Sequence, residues 1–112
     1  MKIAVPVANG TLCMHFGHAP QFAILTVDDA TKKVTSNEIL EAPEHEPGLL
    51  PRWLGEKGVT AIIAGGMGSR AQGLFGERGI AVVTGAAVGT PDEVVRDYLA
   101  GTLQCGENAC DH

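Results

Sequence analysis

Hydrophobic residues alternate with small residues at the start of the chain, and this pattern predicts a β-strand over residues 3–8. Both of its faces are apolar, as in a strand that is covered on both sides. Pro6 has no N–H group, so we expect it at an edge or a bulge. The dipeptide Asn9-Gly10 then predicts a turn, which a loop follows through Pro20.

Two further runs rich in aliphatic and β-branched residues predict strands over residues 21–28 and 33–41. Turn-forming residues separate them, beginning with Asp28 and Asp29. The connection is short enough for a hairpin, so we expect the first half of the sheet to be antiparallel.

The second half of the chain changes to alternating helices and short strands. A break at Glu46-Pro47-Gly48 precedes an apolar helical stripe that starts at Leu49 and includes Trp53 as a core anchor. Short apolar runs predict strands over residues 59–64 and 80–84. Two capping boxes predict the starts of the remaining helices, Ser69 with Gln72 and Thr90 with Glu93.

The resulting order is β-β-β-α-β-α-β-α, which predicts an α/β fold. The best fit is a ribonuclease-H-like three-layer fold with a mixed five-stranded sheet and right-handed crossovers. A flavodoxin-like sheet is the alternative, but it needs a helix between the first two strands. We expect one domain over residues 1–104 and a Cys/His-containing tail over residues 105–112.

Composition narrows the possible partners of this domain. The chain has 112 residues and a formal net charge of −5, which disfavours nucleic acid and anionic lipid as partners because like charges repel. No apolar run approaches the roughly 18 residues of a membrane span. The start of the chain is strand-like, so we expect no signal peptide and a cytoplasmic location.

The first candidate for chemistry is a loop that offers a thiolate, a thioether and two imidazoles. Soft sulfur ligands together with imidazole favour copper, zinc or iron–sulfur chemistry over magnesium or calcium. The alternative is a surface loop in which only the phenylalanine packs inward. The candidate cofactor contacts are Cys13, Met14, His15, Phe16, Gly17 and His18, of which Cys13, His15 and His18 are candidate metal ligands.

The second candidate is a glycine-rich loop between the end of a strand and the start of a helix. Backbone N–H groups and the helix dipole favour an anion at such a place, and an arginine in the first turn adds charge. The pattern is neither a Walker A loop nor GxGxxG, and the alternative is a tight turn. The candidate residues are Gly65, Gly66, Met67, Gly68, Ser69 and Arg70. We expect the ends of the first and fourth strands to bring both loops together.

The third candidate is the tail, in which Cys105, Cys110 and His112 form a Cys-x4-Cys-x-His pattern. This is a partial ligand set for zinc or iron. The alternative is a disordered tail in which Cys105 and Cys110 form a disulfide in air.

Hydrolytic catalysis is the least favoured class. Two-metal cleavage needs carboxylates at strand ends, and the first strand contains none. Ser36 and Ser69 also lack the context of a nucleophile elbow. We therefore expect a protein that is not an enzyme.

Motifs along essentially the whole chain resemble the dinitrogenase iron–molybdenum cofactor biosynthesis family. This family includes NifX-like proteins, the C-terminal domain of NifB and the orange protein of sulfate reducers. The motifs that carry the resemblance are the start MKIAVPV, His15 to Phe22, His45 to Pro51, Ala64 to Ala71, and Cys105 to His112.

The resemblance implies a ribonuclease-H-like fold and a protein that binds or carries a metal–sulfur cluster. NifX-type members carry iron–molybdenum cofactor or its precursor, and the orange protein holds a molybdenum–copper sulfide cluster without covalent bonds. Partners in the family include cofactor-assembly proteins and ParA/MinD-type ATPases. We therefore expect a non-enzymatic cluster carrier or scaffold. The alternative is a zinc- or redox-responsive interaction module that uses the tail.

Overall fold

A computed structural model of the chain describes residues 1–13, 19–43, 49–84 and 89–100, which contain six strands and three helices. The strands are β1 (Lys2–Ala8), β2 (Thr11–Leu12), β3 (Gln21–Val27), β4 (Val34–Glu41), β5 (Ala61–Ile63) and β6 (Ala81–Val83). The helices are α1 (Leu49–Glu56), α2 (Ser69–Glu77) and α3 (Pro91–Ala100).

The described strands form one mixed sheet in the order β4-β3-β1-β5-β6, with β2 also paired to β1. β1 is antiparallel to β3 and parallel to β5, while β4 and β6 continue the sheet in the antiparallel and parallel sense. The predicted α/β class and mixed sheet are confirmed. The predicted five strands omit the two-residue β2, and the ribonuclease-H-like designation stays a finer prediction.

The alternation along β1 divides the core into two clusters, one on each face of the sheet. Ile3, Val5 and Val7 join a buried cluster that includes Val94 and Val95 of α3. The intervening Ala4 belongs to the second cluster, which packs the other face against α1 and α2. Buried members of that cluster include Phe22, Ile24, Leu50, Leu54, Ile62 and Phe75. A strand apolar on both faces therefore has a helix layer on each side, as its pattern predicts.

Trp53 of α1 anchors the helix layer on the α1/α2 side. It is half-buried, and its ring meets that of Phe22 edge-on, with centroids 5.9 Å apart. The ammonium of Lys57 lies 5.2 Å from the Trp53 centroid, within the range of a cation–π contact. The interpretation of Trp53 as a packing residue is confirmed.

A tight hairpin joins β1 to β2 where the sequence predicts a turn followed by a loop. Val7 pairs with Leu12 and Ala8 with Thr11, so Asn9 and Gly10 form the two-residue connection. Their φ angles are 54° and 83°, as a type I′ turn requires. An Asn-Gly pair after a strand is itself a hairpin signal, but β2 is too short to show a hydrophobic period.

The two predicted capping boxes have different outcomes. At α3, the Thr90 hydroxyl accepts a hydrogen bond from the Glu93 N–H at 3.3 Å, and the Glu93 carboxylate accepts one from the Thr90 N–H at 3.3 Å. This box is confirmed. At α2, Ser69 lies inside the helix and Gly68 is the N-cap, without a side-chain cap hydrogen bond. The predicted Ser69–Gln72 box is wrong because the helix begins one residue earlier.

None of the helices in the described ranges has the length and apolar character of a membrane span. The proposed boundary between a domain over residues 1–104 and a tail over residues 105–112 lies outside the described residues and stays a prediction.

We expect Thr90→Ala to lower the free energy of unfolding by about 1 kcal/mol at neutral pH, because α3 loses its N-cap. Urea denaturation measures this change. Ser69→Ala is the matched control, since no side chain caps α2. An equal loss in both variants would contradict a capping role for Thr90.

The contribution of this box should also depend on pH. Hydrogen bonds from Thr90 lower the pKa of Glu93 in the folded protein. A carboxylate with a lowered folded-state pKa adds stability above its unfolded pKa, and that stability disappears as the pH falls through the folded value. The difference between wild type and Thr90→Ala should therefore shrink in acid.

Candidate functional site

β1 changes its neighbour part-way along its length. The ladder between β1 and β5 contains Ile3 with Ala61 and Ala4 with Ile62. Farther along, Val7 and Ala8 pair with β2. Val7 also pairs with β3, which lies on one side of β1. β2 must therefore lie on the other side of β1, where β5 pairs with the first residues of the strand. The chain beyond β5 therefore diverges from β1 at the carboxyl ends of the two strands.

Pro6 is located at this change of neighbour. It is buried in β1 and pairs with Phe22 of β3. Its carbonyl accepts a hydrogen bond of 2.8 Å from the Cys13 N–H, on the side where β5 has diverged. The expectation of an edge or a bulge is wrong, because Pro6 lies in a central strand with an unbroken register to β3.

Cys13 comes directly after β2 at this end of the sheet and is half-buried. The neighbouring Leu12 N–H donates a 2.8 Å hydrogen bond to the carbonyl of Gly89, just before α3. This hydrogen bond and the one to Pro6 hold the backbone at Cys13 between the end of β1 and the segment that enters α3. Gly89 also lies at this end, a proximity that no local sequence pattern reveals.

The glycine-rich loop leaves β5 at the same end. The Ala64 N–H donates to the Val83 carbonyl at 2.8 Å, which holds the start of the loop beside β6. The side-chain amide of Gln72 donates to the Met67 carbonyl at 2.9 Å and ties the loop to α2. Met67 is half-buried and packs against the core on the α1/α2 side.

The N-terminus of α2 is exposed and has no cap from a side chain. Gly68 has a φ of −64° and a ψ of 153°, with no cap hydrogen bond, and the first turn contains no acidic residue. Ser69 and Arg70 are both exposed. The first N–H groups of a helix have no intrahelical acceptor and carry partial positive charge, so this terminus can accept an anion.

The ability of the α2 terminus to accept an anion does not depend on glycines in the left-handed conformation. The described glycines with positive φ are Gly10, Gly58 and Gly79. The three glycines of the loop, Gly65, Gly66 and Gly68, are not among them. A cradle built by alternating right- and left-handed residues is therefore not found over residues 65–68. The anion-accepting groups are those of the helix itself.

The described parts of the predicted site lie at one end of the sheet, while a contact between the two loops stays a prediction. Cys13 and the segment from Gly65 to Arg70 lie at the same end of the sheet, at the divergence of β1 and β5. In the ranges that the structure describes, no three His, Cys, Asp or Glu side chains are grouped to hold a metal ion. The predicted site residues outside those ranges are Met14, His15, Phe16, Gly17, His18, Cys105, Cys110 and His112. The metal-ligand assignments, and the tail module as an alternative function, stay predictions.

A sequence profile described as dinitrogenase iron–molybdenum cofactor matches residues 1–101. The chain belongs to this family. An uncharacterised protein of Methanocaldococcus jannaschii is 32% identical over 109 residues, which cover 93% of this chain and 90% of that protein.

Solved structures show the same fold. PH0822 is 28% identical with a TM-score of 0.86, over 96% of both chains. The apo form of the orange protein from Desulfovibrio gigas is 23% identical with a TM-score of 0.70, over 98% of this chain and 96% of that one. The family prediction is therefore confirmed, while the expected partnership with ParA/MinD-type ATPases and the cytoplasmic location stay predictions.

We expect Gln72→Ala to release the glycine-rich loop, because it removes the hydrogen bond to the Met67 carbonyl. Amide hydrogen exchange over residues 65–68 should accelerate several-fold, while exchange in β1 stays unchanged. Gln21→Ala is the control, since that side chain bonds to the exposed Glu41 at the opposite edge of the sheet. Unchanged exchange in the loop would show that Gln72 does not hold it.

Proposed function

We propose that this protein is a non-enzymatic carrier or scaffold for an anionic metal–sulfur cluster, bound at the divergence of β1 and β5. The observation that carries the proposal is the uncapped N-terminus of α2, at the end of the sheet where Cys13 follows β2. Membership in a family named for the dinitrogenase iron–molybdenum cofactor supports this class of cargo. The cargo would be an iron–molybdenum cofactor precursor or a molybdenum–copper sulfide cluster.

Charge is the first requirement of such a site. A thiometallate cluster is an anion, and the chain has a formal net charge of −5, so the binding groups must act locally. The first-turn N–H groups of α2 supply positive potential without adding a titratable group. Arg70 adds a full positive charge in the same turn, and its side chain is exposed. These groups would hold the cluster through its charge.

Contact with sulfur is the second requirement. Met67 precedes the same turn and is half-buried against the core, and its thioether would be polarizable enough to pack against sulfide edges. Cys13 supplies a thiol on the opposite side of the divergence, and thiolates bind soft metals such as copper(I). His15 and His18 belong to the following segment and are proposed as further ligands.

The contrast between two helices of this chain supports the choice of α2. The first turn of α3 contains Asp92 and Glu93, and Glu93 closes a capping box with Thr90. An anion at that terminus would meet a carboxylate. The first turn of α2 has no acidic residue and no capping side chain, so its N–H groups remain available to a ligand.

We expect Gly68→Asp to abolish binding of the cluster, because an N-cap carboxylate would occupy the α2 amides and repel an anion. The test adds tetrathiomolybdate and copper(I) to anaerobic apo-protein and records the visible absorption band of the bound cluster. Gly68→Asn supplies a neutral cap of similar size. A Cβ at Gly68 meets no atom within 4 Å, so neither variant should disturb the fold.

Arg70→Ala should weaken binding at least tenfold, whereas Arg52→Ala on α1 should leave it unchanged. Gly68→Ala, which adds a methyl group without charge, should also bind normally. If wild type binds neither this cluster nor an iron–molybdenum precursor, the carrier function is wrong. If Gly68→Asp binds as wild type does, the α2 terminus is not the site.

A further inference from the structure

A groove separates β4 from α3 on the face of the sheet opposite α1 and α2. It encloses about 300 Å³. Its lining residues are Lys32, Lys33, Val34, Asp92, Arg96 and Leu99. The groove is distinct from the candidate cluster site, because α2 packs against the other face of the sheet.

The groove is positively charged in an acidic protein. Lys32 and Lys33 approach it from the turn before β4, and Arg96 approaches it from α3. In the described part of the chain, none of these three forms an ion pair. The single carboxylate in the lining, that of Asp92, accepts a hydrogen bond of 3.4 Å from the Asn37 amide. Arg96 also acts electrostatically on Glu93 of the same helix. The lining itself still contains three cations and one carboxylate.

Apolar side chains lie in the groove and farther along β4 on the same face of the sheet. Val34 and Leu99 are half-buried and pack against the core on the α3 side. Ile39 is a large hydrophobic residue of the described chain that is 48% exposed. It pairs with Ala23, a member of the same core cluster, and therefore lies on the α3 face. A fitting occupant combines acidic groups with some apolar surface.

We propose that this groove receives the acidic C-terminal segment of the same chain, residues 101–112. α3 ends at Ala100, one residue after Leu99 of the lining. The segment contains Glu107 and Asp111, with no Lys or Arg, so its charge complements the groove. It also contains Leu103 as an apolar group.

The length of the segment is sufficient for this contact. Seven residue steps from Ala100 to Glu107 span up to about 23 Å when extended. The groove extends along α3 from Asp92 to Leu99, which is about 10 Å at the rise of an α-helix. Tethering also raises the local concentration of the segment to the millimolar range, so weak ionic contacts suffice.

This contact would hold Cys105 and Cys110 on the α3 face, apart from the N-terminus of α2. It is independent of cluster binding, since none of the groove residues belongs to the proposed cluster site. The two proposals can therefore fail separately.

The test uses the full chain with Cys13→Ser and Cys105→Ser, carrying a nitroxide spin label on Cys110. Paramagnetic broadening of backbone amide signals should be at least threefold greater at residues 32–34 than at residues 52–56 of α1. Glu107→Gln with Asp111→Asn should abolish this difference. Equal broadening of the two regions, or a difference that survives neutralisation of the tail, would overturn the proposal.

A charge swap provides a second test that does not depend on the cysteine variants. Tail neutralisation by Glu107→Gln with Asp111→Asn in the otherwise wild-type chain should shift the Lys33 and Arg96 amide signals. Lys32→Glu, Lys33→Glu and Arg96→Glu together should produce a similar loss of docking, and adding Glu107→Lys with Asp111→Lys should restore it. Arg52→Glu is the control and should have no effect. Failure of the swap to restore docking would contradict the ionic contact.

Inorganic phosphate distinguishes the tail from a separate small anion. Phosphate should shift the Lys33 and Arg96 amide signals at a concentration at least tenfold lower when the tail is neutralised than in wild type. Equal phosphate affinity in both proteins would mean that the tail does not occupy the groove, and would overturn the proposal.

Discussion

The central strand β1 determines most of the architecture, because two different strands share the hydrogen bonding along one of its sides. β3 completes one side over the length of the strand. On the other side β5 serves the first part and β2 the last. Pro6 makes this change of partner tolerable, since it has no N–H group to leave unsatisfied. The opening at the carboxyl end of the sheet follows from the same change.

The apolar character of β1 on both faces requires a helix layer on each side, and the two layers differ in their helix termini. α3 covers one face and closes its own N-terminus with Thr90 and Glu93. α2 covers the other face and begins at Gly68, which has no side chain to offer. A helix that is stabilised by tertiary packing can leave its first N–H groups uncapped. Phe75, fully buried in the second core cluster, provides such packing for α2.

Local signals predicted much of the fold. The alternation in β1, the aliphatic run of β3, the stripe around Trp53 and the box at Thr90 each depend on neighbours within a few residues, and all are confirmed. The strands β5 and β6 are shorter than the predicted segments, because a run of residues with strand propensity does not mark where the ladder ends. The box at Ser69 failed because a serine and a glutamine three residues apart do not reveal which residue begins the helix.

The site depends more on contacts that are distant in sequence. Cys13 and the glycine-rich loop could be identified as candidates from their residue types alone. Their common location follows from the register of β1 with β2 and β5, which involves residues about 60 positions apart. The contact of Leu12 with Gly89 is of the same kind. The sequence does not predict the positively charged groove, because Lys32 and Lys33 precede β4 whereas Arg96 lies in α3, and only the folded chain brings them together.

The division of the core into two faces has a consequence for spectroscopy. The single tryptophan of the chain, Trp53, packs on the α1/α2 face, whereas the single tyrosine, Tyr98, packs on the α3 face. Each helix layer thus contains one intrinsic chromophore with its own emission. Fluorescence of tryptophan and absorbance of tyrosine can follow the loosening of the two layers separately, without any added dye.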